Sequence, residues 1–306
     1  MRLGINGTGL VQKASVQAIV DHAARAHDDG FSSYWLAEHP TGGLDAITVL
    51  ALVGQSVAEI ELGTAIVPTF PRHPMALAGQ ALTAHSVLPG RFTLGIGLSH
   101  APMMAQLGIG FEKPIRHLRE FLSILMPLLE EGRVAFEGQT LSCEAEVFGR
   151  PTDACPVLVA ALGPQALKVA GTRTAGTTLA WVGPKTIREH IVPRISAAAE
   201  AAGRGAPRIV ATLPVCIADD EETVRQTVAR GLSMYGKLPS YRAMFEREGV
   251  DGPGDLVLAG SEERVADALG DLVQAGVTDF AASEFVRSGE EFERTRAFLK
   301  AFLQGS

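Results

Sequence analysis

The sequence predicts an α/β fold: a single-domain (β/α)8 TIM barrel over residues 1–306, with insertion segments after helices four and seven. Three observations carry this expectation. Short β-rich runs alternate with helical patterns from end to end, which is the sequence sign of parallel βα units. Most of those runs are continuously apolar, as strands covered on both faces must be. The 306 residues are 46% hydrophobic and 20% charged, with 33 Gly and 17 Pro, a composition suited to a large core joined by many short turns.

The eight units follow in order. Strand Arg2–Gly7 leads to a helix from Ser15, in which Ser15, Ile19, Ala23 and Ala26 recur at helical spacing until Gly30 stops the helix and Phe31 opens the next strand. Strand Ser32–Glu38 leads to a helix near Asp45, Ile60–Val67 to one at Pro74, and Phe92–Gly97 to one near Lys113. Strand Pro156–Ala160 leads to a helix at Pro164, and Thr177–Trp181 to one at Pro184. Strand Arg208–Ile217 precedes a helix near Asp220, and Thr278–Ala282 precedes the last, near Ser288. Proline in a first turn, or an acidic or hydroxyl residue before it, supplies the start signals.

Two connections exceed the usual loop length, about Glu131 to Cys155 and about Met234 to Gly260, and long loops in compact domains tend to be functional. The second carries Tyr235, Lys237, Tyr241, Arg242, Phe245 and Arg247 in one amphipathic stretch, which predicts an extra helix that either covers the barrel mouth or lies as a solvated surface helix.

Charge and motifs exclude several functions. A net charge of -7 offers no attraction to nucleic acid or an anionic membrane, and neither a signal peptide nor an 18-residue apolar run is visible. A cytoplasmic location is expected. Cys143, Cys155 and Cys216 lack disulfide or zinc spacing and read as free thiols. No HExxH or GxSxG pattern is present. Gly7-Thr8-Gly9 with Asp28 and Asp29 some twenty residues on resembles the opening of a dinucleotide fingerprint, but the third glycine is missing.

In such a barrel, chemistry sits at the C-terminal strand ends. Strand two ends in Glu38-His39, a pair suited to orienting a ligand or moving a proton near neutral pH. Strand three, Gly63 to Ile66, offers a flat apolar surface for a planar ring, or simply ordinary core. Arg72 and His73 read as polar caps of the following helix. In strand four Gly95 and Gly97 allow close backbone approach, and His100 stands just past the end. Gly163-Pro164 opens helix five with free N–H groups at the positive end of a helix, the usual way to hold a phosphate without a basic patch.

Together the segments GFSSYWLAEH, ELGTAIVPTFPRHP, LPGRFTLGIG, VLVAALGPQALKVAG, TTLAWVGPKTI and GVTDFAA resemble the luciferase-like monooxygenase superfamily, and in particular its branch that uses coenzyme F420. The resemblance implies that the cofactor ring rests on strand three, where relatives have a bulged or non-proline cis peptide, by position Ala65-Ile66. It implies cofactor contacts from Glu38, Ala65, Ile66, Gly97, Leu98 and Ser99, with the phosphate end on Leu162, Gly163, Gln165 and Ala166. His39 and His100 are the implied catalytic residues, and no metal is expected. Two departures bear on chemistry. Ser99 and His100 stand where F420-dependent sugar-phosphate dehydrogenases have a Gly-Glu pair, and Thr174-Ala175-Gly176 replaces a common Ala-Asp-Gly.

The expected function is therefore hydride transfer between C5 of F420 and a small, uncharged organic substrate, in a homodimer. The alternatives are an FMN-dependent monooxygenase using O2 and a non-catalytic flavin-binding barrel, since fold alone does not fix chemistry.

Overall fold

The computed structural model describes residues 1–13, 15–149 and 153–305. The barrel strands are β1 (Arg2–Asn6), β2 (Ser33–Leu36), β3 (Glu61–Thr64) with its continuation β4 (Val67–Pro68), and β5 (Phe92–Gly97). A hairpin, β6 (Arg133–Glu137) and β7 (Ser142–Glu146), comes next, followed by β8 (Val157–Val159), β9 (Gly176–Ala180) and β10 (Arg208–Thr212) with its continuation β11 (Pro214–Ile217). Strands β12 (Leu258–Gly260) and β13 (Asp279–Glu284) complete the set. All the barrel pairings are parallel, in the order β1-β2-β3-β5-β8-β9-β10-β13, and β13 pairs back to β1 through Leu3 with Phe280 and Ile5 with Ala282. The predicted eight-stranded closed barrel is present.

The helices are α1 (Val16–Asp28), α2 (Ala46–Ser56), α3 (Pro74–Val87), α4 (Ala101–Gln106), α5 (Pro114–Glu130), α6 (Pro164–Arg173), α7 (Pro184–Thr186), α8 (Val192–Ala201), α9 (Glu221–Gly231), α10 (Pro239–Glu248), α11 (Glu262–Gln274) and α12 (Gly289–Gln304). Their starts follow the capping chemistry. Ser15, Asp45, Asp220 and Ser288 each accept a backbone N–H three residues on, satisfying donors that a helix leaves unpaired. In α1 the predicted stripe Ile19, Ala23 and Ala26 is buried. Gly30 ends the segment at φ +90, a conformation costly for any residue with a Cβ.

Strand three carries, at Ala65-Ile66, the non-proline cis peptide bond that the resemblance implies. Other features depart from the expected order: strand seven is interrupted at Leu213. The helix expected near Asp220 forms as α9, but its Val224 and Val228 pack into a satellite cluster with Cys216, Ala218, Val257 and Ala259. The main core is instead joined by Val265, Leu269 and Leu272 of α11, a helix the sequence reading does not place. Short helix α4 was likewise not anticipated.

Both insertions exist. The first is the antiparallel β6–β7 hairpin, whose turn is held by Glu120 of α5 accepting from Gln139, Thr140 and Leu141 N–H groups; within the expected Glu131–Cys155 connection, residues 150–152 lie outside the described ones. The second carries α10 as predicted. At the N-terminal end of the barrel Arg208 spans Glu61 and Asp279 at 2.6 and 2.7 Å, and above it Trp35, Leu158, Val210 and Ala281 fill the interior.

Candidate active site

At the rim, β3 and β5 interlock. Thr64 Oγ1 donates to the Gly95 carbonyl at 2.7 Å and accepts the Gly95 N–H at 2.8 Å. A Cβ on Gly95 would lie 1.9 Å from the Thr64 carbonyl oxygen, and one on Gly97 would lie 2.9 Å from Ile66 Cδ1. The two glycines therefore make room for strand three, not for open solvent, and set Ala65 and Ile66 half-buried at the mouth. That leaves an apolar shelf of the kind expected for a planar ring.

Glu38 does not stand free. Its carboxylate accepts both Arg72 Nη1 and Nη2, at 2.5 and 2.8 Å, and Arg72 Nη2 also reaches Asp45 at 2.7 Å. Burial alone pushes the Asp45 carboxyl up, but the Thr48 bonds and the Arg72 charge outweigh it and hold it below its ordinary value. Arg72 is thus the counter-ion of Glu38, a partner the helix-cap reading missed; His73 does cap α3, accepting Met75 N–H at 3.2 Å. The Glu38 N–H donates to the Ile66 carbonyl at 2.9 Å, so the backbone of the residue that carries this ion pair also anchors the shelf.

His39 is exposed, and its Nδ1 meets Thr41 Oγ1 at 3.0 Å. His100 follows β5 after Ser99, which adopts φ 62. Its ring packs 5.6 Å from Tyr241 and 6.4 Å from Tyr235, centroid to centroid. Burial lowers the His100 pKa, so the neutral imidazole prevails at neutral pH. Among the described residues no hydrogen bond or ring contact joins His39 to His100.

The Met234–Gly260 segment forms the lid that its pattern suggested. Tyr235 lies 5.6 Å from Trp181, the residue after β9, and 5.1 Å from Tyr241. Rings from two strand ends and the insertion thus build one aromatic wall over the rim between β5 and β9. The lid is latched by Glu248, which accepts Lys185 N–H at 3.1 Å and Thr186 N–H at 2.7 Å.

That latch reveals what the other Gly-Pro turn offers. Gly183-Pro184-Lys185-Thr186 holds a carboxylate on the two N–H groups after proline. Gly163-Pro164-Gln165-Ala166 repeats the arrangement at the start of α6 with no side-chain cap, and Gly163 and Gln165 are exposed. Leu162 is half-buried and Ala166 buried beside them. The helix start is free to take an anion from outside. By contrast, Gly7 lies against the Tyr34 hydroxyl and Asp29 pairs with Arg296 and Lys300, so the dinucleotide reading has no site.

The luciferase-like monooxygenase model matches residues 2–279. The chain belongs to this family. An F420-dependent glucose-6-phosphate dehydrogenase of Kineococcus radiotolerans is 30% identical over 217 residues, 67% of this chain and 64% of that protein. The F420-dependent tetrahydromethanopterin reductase of Methanopyrus kandleri superposes with a TM-score of 0.82 at 23% identity, covering 98% of this chain and 97% of that one. The oxygenating constituent of 3,6-diketocamphane monooxygenase from Pseudomonas putida, in complex with FMN, gives 0.76 at 17% identity, covering 98% and 96%. The structural matches establish the shared barrel.

Proposed function

We propose that this luciferase-like barrel is an F420-dependent oxidoreductase acting on a small, uncharged organic substrate. The observation that carries the reading is the open Gly163-Pro164 helix start near an apolar shelf, in a chain 30% identical to an F420-dependent dehydrogenase. Ala65, Ile66, Gly97, Leu98 and Ser99 would line the ring site, and Leu162, Gly163, Gln165 and Ala166 the phosphate site. Bound there, F420 supplies hydride transfer at C5. The protein's part is placement: Glu38, tied to Arg72, fixes strand three, His39 orients or protonates the substrate oxygen, and neutral His100 donates or accepts a hydrogen bond beside the aromatic wall. Trp181, Tyr235 and Tyr241 favour an uncharged substrate, since the cation Arg72 is already committed to two carboxylates.

An FMN-dependent monooxygenase is the second reading, favoured by the FMN-bound camphane enzyme of the same fold. Assay of the purified protein with reduced F420 and a panel of neutral carbonyl compounds tests the first reading. Substrate-dependent reoxidation of F420 without oxygen uptake is the expected result; oxygen consumption supported only by reduced FMN overturns it.

A homodimer and a cytoplasmic location complete the proposal. Phe148 is 98% exposed and lines one groove with Met75, Gly79, Leu82 and Thr83 of α3, a surface suited to association. The cysteines are all free, two of them buried, as suits a reducing compartment, and no described helix is long and apolar enough to cross a membrane.

A further inference from the structure

The helix after β9 is not regular. Between α7 and α8, residues Ile187–Ile191 form a π-helical turn in which the Val192 N–H reaches back five residues to the Ile187 carbonyl. Such widened turns recur at functional sites because they re-aim a side chain. Here the turn carries His190, only 3% exposed. Its Nε2 lies 2.8 Å from the Leu162 carbonyl oxygen.

A carbonyl only accepts, so Nε2 carries the proton and His190 is the Nε2–H tautomer. Nδ1 is then a bare acceptor, and among the described residues it is buried without a partner, a cost that a purely structural site would be expected to avoid. Burial, with the nearby charges of Arg247 and Arg194, lowers the His190 pKa against the opposing pull of the Leu162 bond, so the ring stays neutral. The consequence lies on the other side of the peptide. In a planar trans unit the carbonyl and the next N–H point in opposite directions. Drawing the Leu162 carbonyl inward to His190 turns the Gly163 N–H outward, and among the described residues that N–H has no acceptor.

We propose that His190 is a positioning residue for the cofactor phosphate, holding the Leu162-Gly163 peptide so that the Gly163 N–H joins those of Gln165 and Ala166 in one anion cradle. This rests on the proposed placement of the phosphate at that turn. His190 touches neither ring nor substrate, so its effect is confined to ligands that carry the phosphate.

The test compares dissociation constants, by fluorescence titration, of F420 and of its phosphate-free deazaflavin ribityl fragment. Wild type should bind F420 more tightly than the fragment. His190→Leu should weaken F420 about three- to tenfold, the range for one hydrogen bond, leave the fragment within twofold, and His190→Gln should restore most of the preference. If wild type does not discriminate between the probes, the phosphate reading fails and the inference with it. If wild type discriminates and His190→Leu weakens both probes equally or neither, the role of His190 alone is refuted. An independent check needs no variant: imidazole 15N shifts of the wild-type protein should show the Nε2–H tautomer, and the Nδ1–H form would exclude the Leu162 bond.

Discussion

Replacing Arg72 by Met strips the counter-ion from Glu38 while keeping most of the side-chain volume. The Glu38 and Arg72 side chains are 10% and 16% exposed, and Asp45, the second partner, is 31% exposed. Leaving a buried charge unpaired costs about 3–5 kcal/mol. Residual solvent access and the Ala46 N–H on Glu38, at 3.3 Å, bring the expectation for Arg72→Met to about 2–4 kcal/mol. Glu38→Gln should cost about 1 kcal/mol, because its amide oxygen still accepts from Arg72 and Arg72 keeps Asp45. The double variant should fall short of the sum by about 1–2 kcal/mol, the signature of a shared interaction. Urea denaturation followed by tryptophan fluorescence measures all three, with equal m-values as the check on comparability. A loss below 1 kcal/mol for Arg72→Met, or strict additivity, would refute the claim that Glu38 acts through Arg72. A Glu38→Gln enzyme that is fully stable but inactive would return Glu38 to a direct role in proton transfer.

Other consequences are equally specific. Gly95→Ala puts a methyl 1.9 Å from a backbone oxygen that cannot swing aside, so it should destabilise by at least about 3 kcal/mol; a thermal melt within a degree of wild type would contradict the interlock. Glu248→Ala removes the carboxylate from two N–H groups and should cost about 1–2 kcal/mol, with hydrogen exchange quickening selectively across residues 234–250. Equal protection there would mean the lid is held by its aromatic wall alone. Glu61 and Asp279 feel burial pushing their pKa values up and Arg208 pulling them further down, with a net lowering from 4.5 and 3.8. Lowered carboxyl values in the folded state mean a contribution present above those ordinary values and lost as pH falls through the folded ones. Stability should therefore decline below about pH 4.5, and Arg208→Met should flatten that decline; an unchanged slope would remove the network from the account.

Much of the barrel was legible because its signals are local. Apolar strand runs and capping residues such as Ser15 and Asp45 act within a few neighbours, and the structure obeys them. The register between α9 and α11 was not legible: both helices have acidic first turns, and only tertiary packing decides that Val265 and Leu269 join the core while Val224 sits in a satellite. At the site, His39, His100 and the Gly163-Pro164 turn stand at strand ends as their positions suggested. The pairing of Glu38 with Arg72, 34 residues away, depends on the closure of two units and left no mark in either segment. Trp181 did leave one, as an aromatic closing strand six. His190 left none, because its aim comes from a π turn that neither composition nor periodicity announces.

Fluorescence titration of the cofactor-free protein with F420 and, separately, with FMN tests the central claim most directly. A dissociation constant clearly lower for F420 is the predicted result. Tighter binding of FMN would contradict the deazaflavin assignment and turn the same barrel, shelf and phosphate turn toward oxygen chemistry.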